Sequence, residues 1–220
     1  MGRKSENRSV NTRERILMVA ALLFSENGFE GTSVRAICAK ANVNVSLVNY
    51  YFGTKEQLYL EVHKMIHSRN SDQIPWIHDK PAAVADMDEW ELRLNELIMD
   101  ILSIGMQDDK LHRCSRRLIA LEMSHPSKCL PVLLEEFYKP LREYLMNYFL
   151  MVAPDESKVM ASILVTSLIN QMIGFLRLVP PWDKLVCPEG VTMEEWLRKS
   201  VRNLVRMCRF AIENRLLFEQ

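Results

Sequence analysis

Between Asn44 and Phe52 the chain sets two kinds of side chain at helical spacing. Asn44, Val45, Ser46, Asn49 and Tyr50 point one way and the apolar Val48 and Phe52 the other. The first set has the chemistry of base-edge recognition. A carboxamide can pair bidentately with adenine, a hydroxyl can donate or accept, and Val45 could meet a thymine methyl. Upstream, Thr32 and Ser33 stand where a helix begins, offering hydroxyl and backbone N–H groups to a phosphate. The competing reading for Tyr50 and Tyr51 is that their rings pack a small core.

Other chemistries find less support. His63 and His67 are four apart on one helical stretch, the spacing of two metal ligands, but no third ligand lies near and the stretch is expected to face solvent. Neither a metal nor a cofactor is therefore expected. Glycine-rich phosphate loops, G-x-S-x-G, H-E-x-x-H and pocket-bound carboxylate pairs are all missing, so the chain does not read as an enzyme. Arg198, Arg202, Arg206 and Arg209 recur on one face near the C-terminus. They read as a solvated face pairing with Glu195 and Glu213 rather than a second nucleic-acid site.

Formal net charge is zero, with 28 basic and 28 acidic residues, so bulk charge names no partner. Its distribution is more telling. Up to Lys55 the bases are Arg3, Lys4, Arg8, Arg13, Arg15, Arg35, Lys40 and Lys55, against Glu6, Glu14, Glu26 and Glu30. A basic head on a mildly acidic body suits a phosphate-facing end. Arg3, Lys4 and Arg8 could reach a minor groove or form a solvated tail; both readings stay open. Five scattered cysteines without a C-x-x-C pair fit buried, reduced thiols. With a polar start and no long uninterrupted apolar run, a cytosolic chain without membrane partners is expected.

The elements that must position these residues are helices. An apolar stripe (Ile16, Leu17, Ala20, Leu23, Phe24) predicts a first helix over about 11–27, closed by Gly28. Two short helices follow, capped by Thr32 or Ser33 and by Asn44, with a tight turn at 41–44 between them. Thr54 and Gln57 form a capping box that opens a fourth helix. Residues 72–87, with Pro75 and Pro81, lose periodicity. Helices are predicted over about 88–105, 110–124 and 128–151, the last kinked at Pro140, then over 155–179, apolar nearly all round. Thr192 caps a final helix striped by Leu197, Val201, Val205, Cys208 and Ile212. About nine helices and almost no strand signal make an all-α chain.

Three short helices joined by tight turns suit a helix-turn-helix whose last helix enters the major groove. From Thr12 to Leu60 the sequence resembles the TetR family of bacterial transcriptional regulators. The resemblance rests on Arg15-Ile16-Leu17, Ala20 to Phe24, Asn27-Gly28-Phe29-Glu30-Gly31-Thr32-Ser33-Val34, Ile37 to Val43, and Tyr51-Phe52-Gly53-Thr54-Lys55-Glu56-Gln57-Leu58. Two positions depart from the family pattern. Asn42 stands where glycine is usual, and Asn is the residue that otherwise best tolerates a left-handed backbone. Asn49 stands where tyrosine is commonest. The resemblance implies phosphate contacts at Tyr51 and Lys55.

It also implies a head over 1–56 that binds double-stranded operator DNA and a body over 57–220 that dimerises and holds a small effector. Helices 155–179 and 192–216 would supply the homodimer interface. Residues 118–126 and 137–141 are similar to a subgroup answering drug-like amphipathic compounds. Polar residues among apolar neighbours, Glu122, Asn170, Gln171 and Arg177, are the effector candidates, with Met106, Met123, Phe137 and Phe175 as lining. Ordinary core packing and an ion pair or dimer contact are the competing readings. The rival from another class is an all-α ligand carrier or protein-interaction module that no longer reads DNA.

Overall fold

The computed structural model describes residues 2–71, 80–153, 158–177 and 183–214, with side chains over 11–69, 80–153, 158–177 and 184–214. No strand is present among them. The order is α1 (Gly2–Gly31), α2 (Val34–Ala41), α3 (Val45–Phe52), α4 (Lys55–Ser71), α5 (Met87–Gly105), α6 (Lys110–Ser124), α7 (Leu130–Leu133), a π-helical turn (Leu134–Tyr138), α8 (Lys139–Val152), α9 (Lys158–Leu176), α10 (Asp183–Val186) and α11 (Met193–Glu213). The all-α expectation holds.

The boundaries follow local chemistry. Gly28 interrupts α1 with φ 72 and ψ 177, a conformation open to glycine and strained for other residues. Asp86, Asp109 and Thr192 cap α5, α6 and α11 by accepting backbone N–H bonds. Two expectations need correction. The backbone of α1 is helical from Gly2 rather than from Asn11, since no proline or internal glycine breaks 3–10; the side chains of Arg3, Lys4 and Arg8 lie outside the described residues. The helix expected over 128–151 is divided. Pro140 has no N–H, and in an unbroken helix its ring would strike the carbonyl of Glu136. The π turn widens the ladder ahead of it, and Pro140 falls in the first turn of α8, where no donor is needed.

Contacts divide the chain into two compact units, Met1–Gln73 with Gln107–Phe137, and Ile74–Met106 with Tyr138–Gln220. In the first, α1, α4 and α6 enclose Ile16, Ala20, Phe24, Leu58, Val62 and Leu118, while Ile37 and Val48 bring α2 and α3 to the same core. The helix-turn-helix is thus part of a larger unit than residues 1–56, because Leu111 and Leu118 of α6 are buried in its core. In the second, α5, α8, α9 and α11 enclose Trp90, Leu94, Ile98, Leu145, Val165, Leu168, Val201 and Val205. Trp90 Nε1 donates to the Tyr148 carbonyl at 3.0 Å, and the Tyr148 hydroxyl donates back to the Trp90 carbonyl at 3.3 Å. Arg209 reaches Asp88 and Glu91 of α5 as well as Glu213, and Arg206 also meets Glu91. The arginine face is solvated at Arg198 and Arg202 and pairs with Glu213 as expected, while Arg206 and Arg209 also link α11 to α5. α9 has the length and mean hydropathy (1.8) of a membrane span. Its Ala161, Val165, Leu168, Ile169 and Met172 are buried in this unit's core, and Thr166, Ser167, Asn170 and Gln171 are exposed.

Candidate nucleic-acid interface

The turn between α2 and α3 is held by its own backbone. Asn42 adopts the left-handed conformation (φ 51, ψ 55) and its N–H reaches the carbonyls of Ala39 and Cys38. Arg15 of α1 donates from Nε to the Ala41 carbonyl at 3.1 Å, closing the C-terminus of α2. Asn44 caps α3, its Oδ1 accepting the Leu47 N–H at 2.8 Å. The cap occupies one lone pair of that oxygen and leaves the amide nitrogen as the donor still available for a base.

The two faces of α3 separate as the spacing requires. Val48 and Phe52 are buried, Leu47 and Tyr51 half-buried, and Asn44, Val45, Ser46, Asn49 and Tyr50 exposed. Tyr50 is 80% exposed, which removes it from the core; its ring meets that of Tyr51 edge-on at 5.3 Å. Tyr51 stands at the border.

Thr32 and Ser33 differ. The Thr32 hydroxyl is buried and donates within reach of two α1 carbonyls, Gly28 at 2.8 Å and Leu23 at 3.1 Å. It clasps the α1–α2 turn. Ser33 is exposed and caps α2 by accepting the Ala36 N–H at 3.1 Å, so its hydroxyl proton remains available to a phosphate. Arg35, exposed one turn along, adds a cation that spacing alone did not single out.

After α3, Gly53 has φ 71, and a Cβ there would lie 2.1 Å from Gln57 Oε1. That oxygen is committed, since it accepts the Thr54 N–H at 3.0 Å while Thr54 Oγ1 accepts the Gln57 N–H at 3.2 Å. The capping box starts α4 with Lys55 at its mouth. The Lys55 ammonium sits 4.3 Å from the centre of the Phe29 ring. Arg13 stands over Phe52 at 5.2 Å and pairs with Glu61 at 2.5 Å, tying α3 and α4 to α1.

The family model described as bacterial regulatory proteins, tetR family, matches residues 16–62, the span that holds α2, α3 and their turn. Over this span the chain is similar to the bacterial regulators of the tetR family. It is 30% identical over 113 residues to the probable HTH-type transcriptional regulator YttP of Bacillus subtilis, covering 51% of this chain and 53% of that protein. Over 57 residues it is 39% identical to the HTH-type transcriptional repressor NicS of Pseudomonas putida, covering 26% and 27%. The chain thus spans about half the length of the first relative and a quarter of the second. A TetR-like transcriptional regulator from Rhodococcus sp. RHA1 shares the fold, with TM-score 0.60, 16% identity and coverage of 90% and 95%.

The effector candidates are dispersed. In the first unit Glu122 is buried, with Oε1 accepting the Tyr59 hydroxyl at 2.7 Å and Oε2 the Ser127 N–H at 3.0 Å. Both oxygens are engaged in holding α4 and the α6–α7 turn. Phe137 is half-buried against His67 at 4.7 Å and His63 at 6.4 Å, whereas Met123 is exposed. In the second unit Phe175 is buried edge-on to Trp196 at 5.8 Å, Met106 caps α5 half-buried, and Asn170, Gln171 and Arg177 are exposed. The expectation that His63 faces solvent is corrected. Its Nε2 is buried without a hydrogen-bond partner, and burial pulls its pKa down to about 4, against a smaller upward pull from Glu122. Spacing missed this because the covering groups, Tyr59 and Phe137, come from its own previous turn and from the π turn. No cluster able to hold a metal occurs among the described residues.

Proposed function

We propose that the chain is a sequence-specific DNA-binding transcriptional regulator, a repressor released from a palindromic operator by a small-molecule effector. The observation that carries this reading is α3. Its buried face is spent on Val48 and Phe52, and its exposed face holds Asn44, Val45, Ser46, Asn49 and Tyr50. Those five would read base edges, and Ser33, Tyr51 and Lys55 would hold phosphates on either side, with Thr32 shaping the turn. DNA binding belongs to residues 1–56, effector binding and dimerisation to 57–220.

A homodimer through α9 and α11 accounts for Val159, Ile163, Met207 and Phe210, apolar side chains left 54–69% exposed. Pairing these helices across a two-fold axis sets two copies of α3 on successive half-sites, ~34 Å apart or further. The effector acts by shifting the population of two head separations. The exposed Asn170, Gln171 and Arg177 would meet the effector only if the partner covers them. A cytoplasmic setting accords with five cysteines that form no disulfide.

The test is a fluorescence titration against sheared genomic DNA across a salt series. The expected result is a complex that weakens steeply with salt and survives competitor only on a subset of fragments. Absence of a salt-dependent, sequence-preferring complex would return the chain to the carrier class.

A further inference from the structure

The mouth of α4 carries an anion beside its phosphate-binding cation. Glu56 follows Lys55 in the first turn, and an ionised carboxylate there opposes any phosphate approaching the helix N-terminus. The α6–α7 turn answers it. Lys128, 72 positions further along the chain, places Nζ 2.5 Å from Glu56 Oε1. The same ammonium lies 5.8 Å from the Phe29 ring that carries Lys55 at 4.3 Å. The placement is built rather than incidental. Phe29 packs edge-on to Tyr59 at 5.1 Å, the Tyr59 hydroxyl donates to Glu122, and Glu122 accepts the Ser127 N–H next to Lys128. Ser127 Oγ accepts the Cys129 N–H at 3.2 Å on the other side. Lys128 is thus held at both neighbours while its own side chain is 62% exposed.

An ion pair so exposed adds little to folding stability. Its consequence is local charge. With Lys128 in place, the first turn of α4 presents Lys55 as net cation; without it, Lys55 and Glu56 cancel. We propose that Lys128 is a positioning residue for DNA binding, which neutralises Glu56 so that Lys55 and the α4 N-terminus can hold a phosphate. The inference rests on the reading of the head as DNA-binding and extends its machinery to a turn outside the helix-turn-helix.

The test is a double-substitution cycle in the full-length protein, with titrations of a sheared genomic fragment pool and of its enriched fraction. Lys128→Met is expected to weaken binding to both about equally, by about threefold for each head and tenfold for a two-headed complex, as for one unit charge ~6 Å away in water. Adding Glu56→Gln to Lys128→Met is expected to restore affinity to within about twofold of wild type. Thermal melts of all forms should agree within a few degrees. Lys128→Met that binds like wild type overturns the proposal, and so does a double variant as weak as the single one; the latter result would make Lys128 a phosphate ligand itself or a purely structural residue. Wild type and Lys55→Ala run alongside. If wild type forms no salt-dependent complex, the DNA-binding reading fails with this one; if it does and the cycle fails, only the role of Lys128 falls.

Discussion

The helix-turn-helix and the faces of α9 and α11 both lie exposed, but on opposite chemical terms. Around α3 the order is kept by local polar devices: the left-handed Asn42, the Asn44 cap, the Thr54–Gln57 box and the Thr32 clasp. The surface they display is amide, hydroxyl and phenol. Such a surface loses free energy on leaving water unless a partner returns each hydrogen bond in register, which is the condition for discrimination. On α9 and α11 the displayed groups are Val159, Ile163, Met207 and Phe210, which gain from any complementary apolar partner. The first surface suits specificity and the second suits permanent association.

The largest expected effect comes from putting charge on the apolar surface. Replacing Met207 and Phe210 together by Glu should weaken self-association by at least ~100-fold, since two carboxylates per chain would have to be desolvated. Sedimentation equilibrium reads this directly. A dimer of unchanged strength would show that α11 is not the interface and would remove the contrast.

A second test asks whether the first unit's core holds a buried, uncharged imidazole. His63 has its folded pKa depressed by burial to about 4, below the ~6.5 of an unfolded histidine. Between those values the unfolded chain binds the extra proton, so stability falls as pH drops through that window and levels off below it. The loss should approach ~3 kcal/mol, and His63→Gln should remove this part of the slope. Urea unfolding at pH 7.5, 6, 5 and 4 measures it. Glu56, held down to about 2 chiefly by its hydrogen bond from Lys128, acts in a lower window, as pH falls from the ordinary carboxylate range. The difference between wild type and His63→Gln separates the two. Parallel curves would mean that the imidazole is not buried in solution.

The devices around α3 were largely legible in the sequence because they are local. Asn42, Asn44 and the Thr54–Gln57 box act within three or four residues, where residue type and spacing decide the outcome. The split between Val48 and Phe52 and the outward face needs only helical periodicity. Contacts made over long sequence separations were not legible. Tyr59 finds Glu122, Lys128 finds Glu56, and Arg209 finds Asp88 and Glu91 only once distant helices have packed. For the same reason Glu122 read as an effector contact when its oxygens brace α4 and a turn. Thr32 read as a phosphate ligand because its spacing cannot reveal that its hydroxyl turns back to Leu23 and Gly28. Pro140 announced a kink, but not that a π turn ahead of it would absorb the lost hydrogen bond.

A smaller effect sharpens the local side of the contrast. Gly53→Ala should destabilise the head by ~1–2 kcal/mol, because alanine resists the positive φ and its Cβ would displace the Gln57 side chain from Thr54. Thermal unfolding with retained sequence preference in DNA binding is the expected pattern. An unshifted melting temperature would mean that the capping box does not fix the start of α4.

The outward face of α3 remains the centre of the account, and selection from a pool of randomised duplexes tests it most directly. The wild-type protein should enrich an inverted repeat. A variant with Ser46, Asn49 and Tyr50 all replaced by Ala should still bind DNA through its phosphate contacts but enrich no repeat, or a degenerate one. If the variant enriches the same repeat with the same strength, α3 is not the reading element and the central claim is wrong.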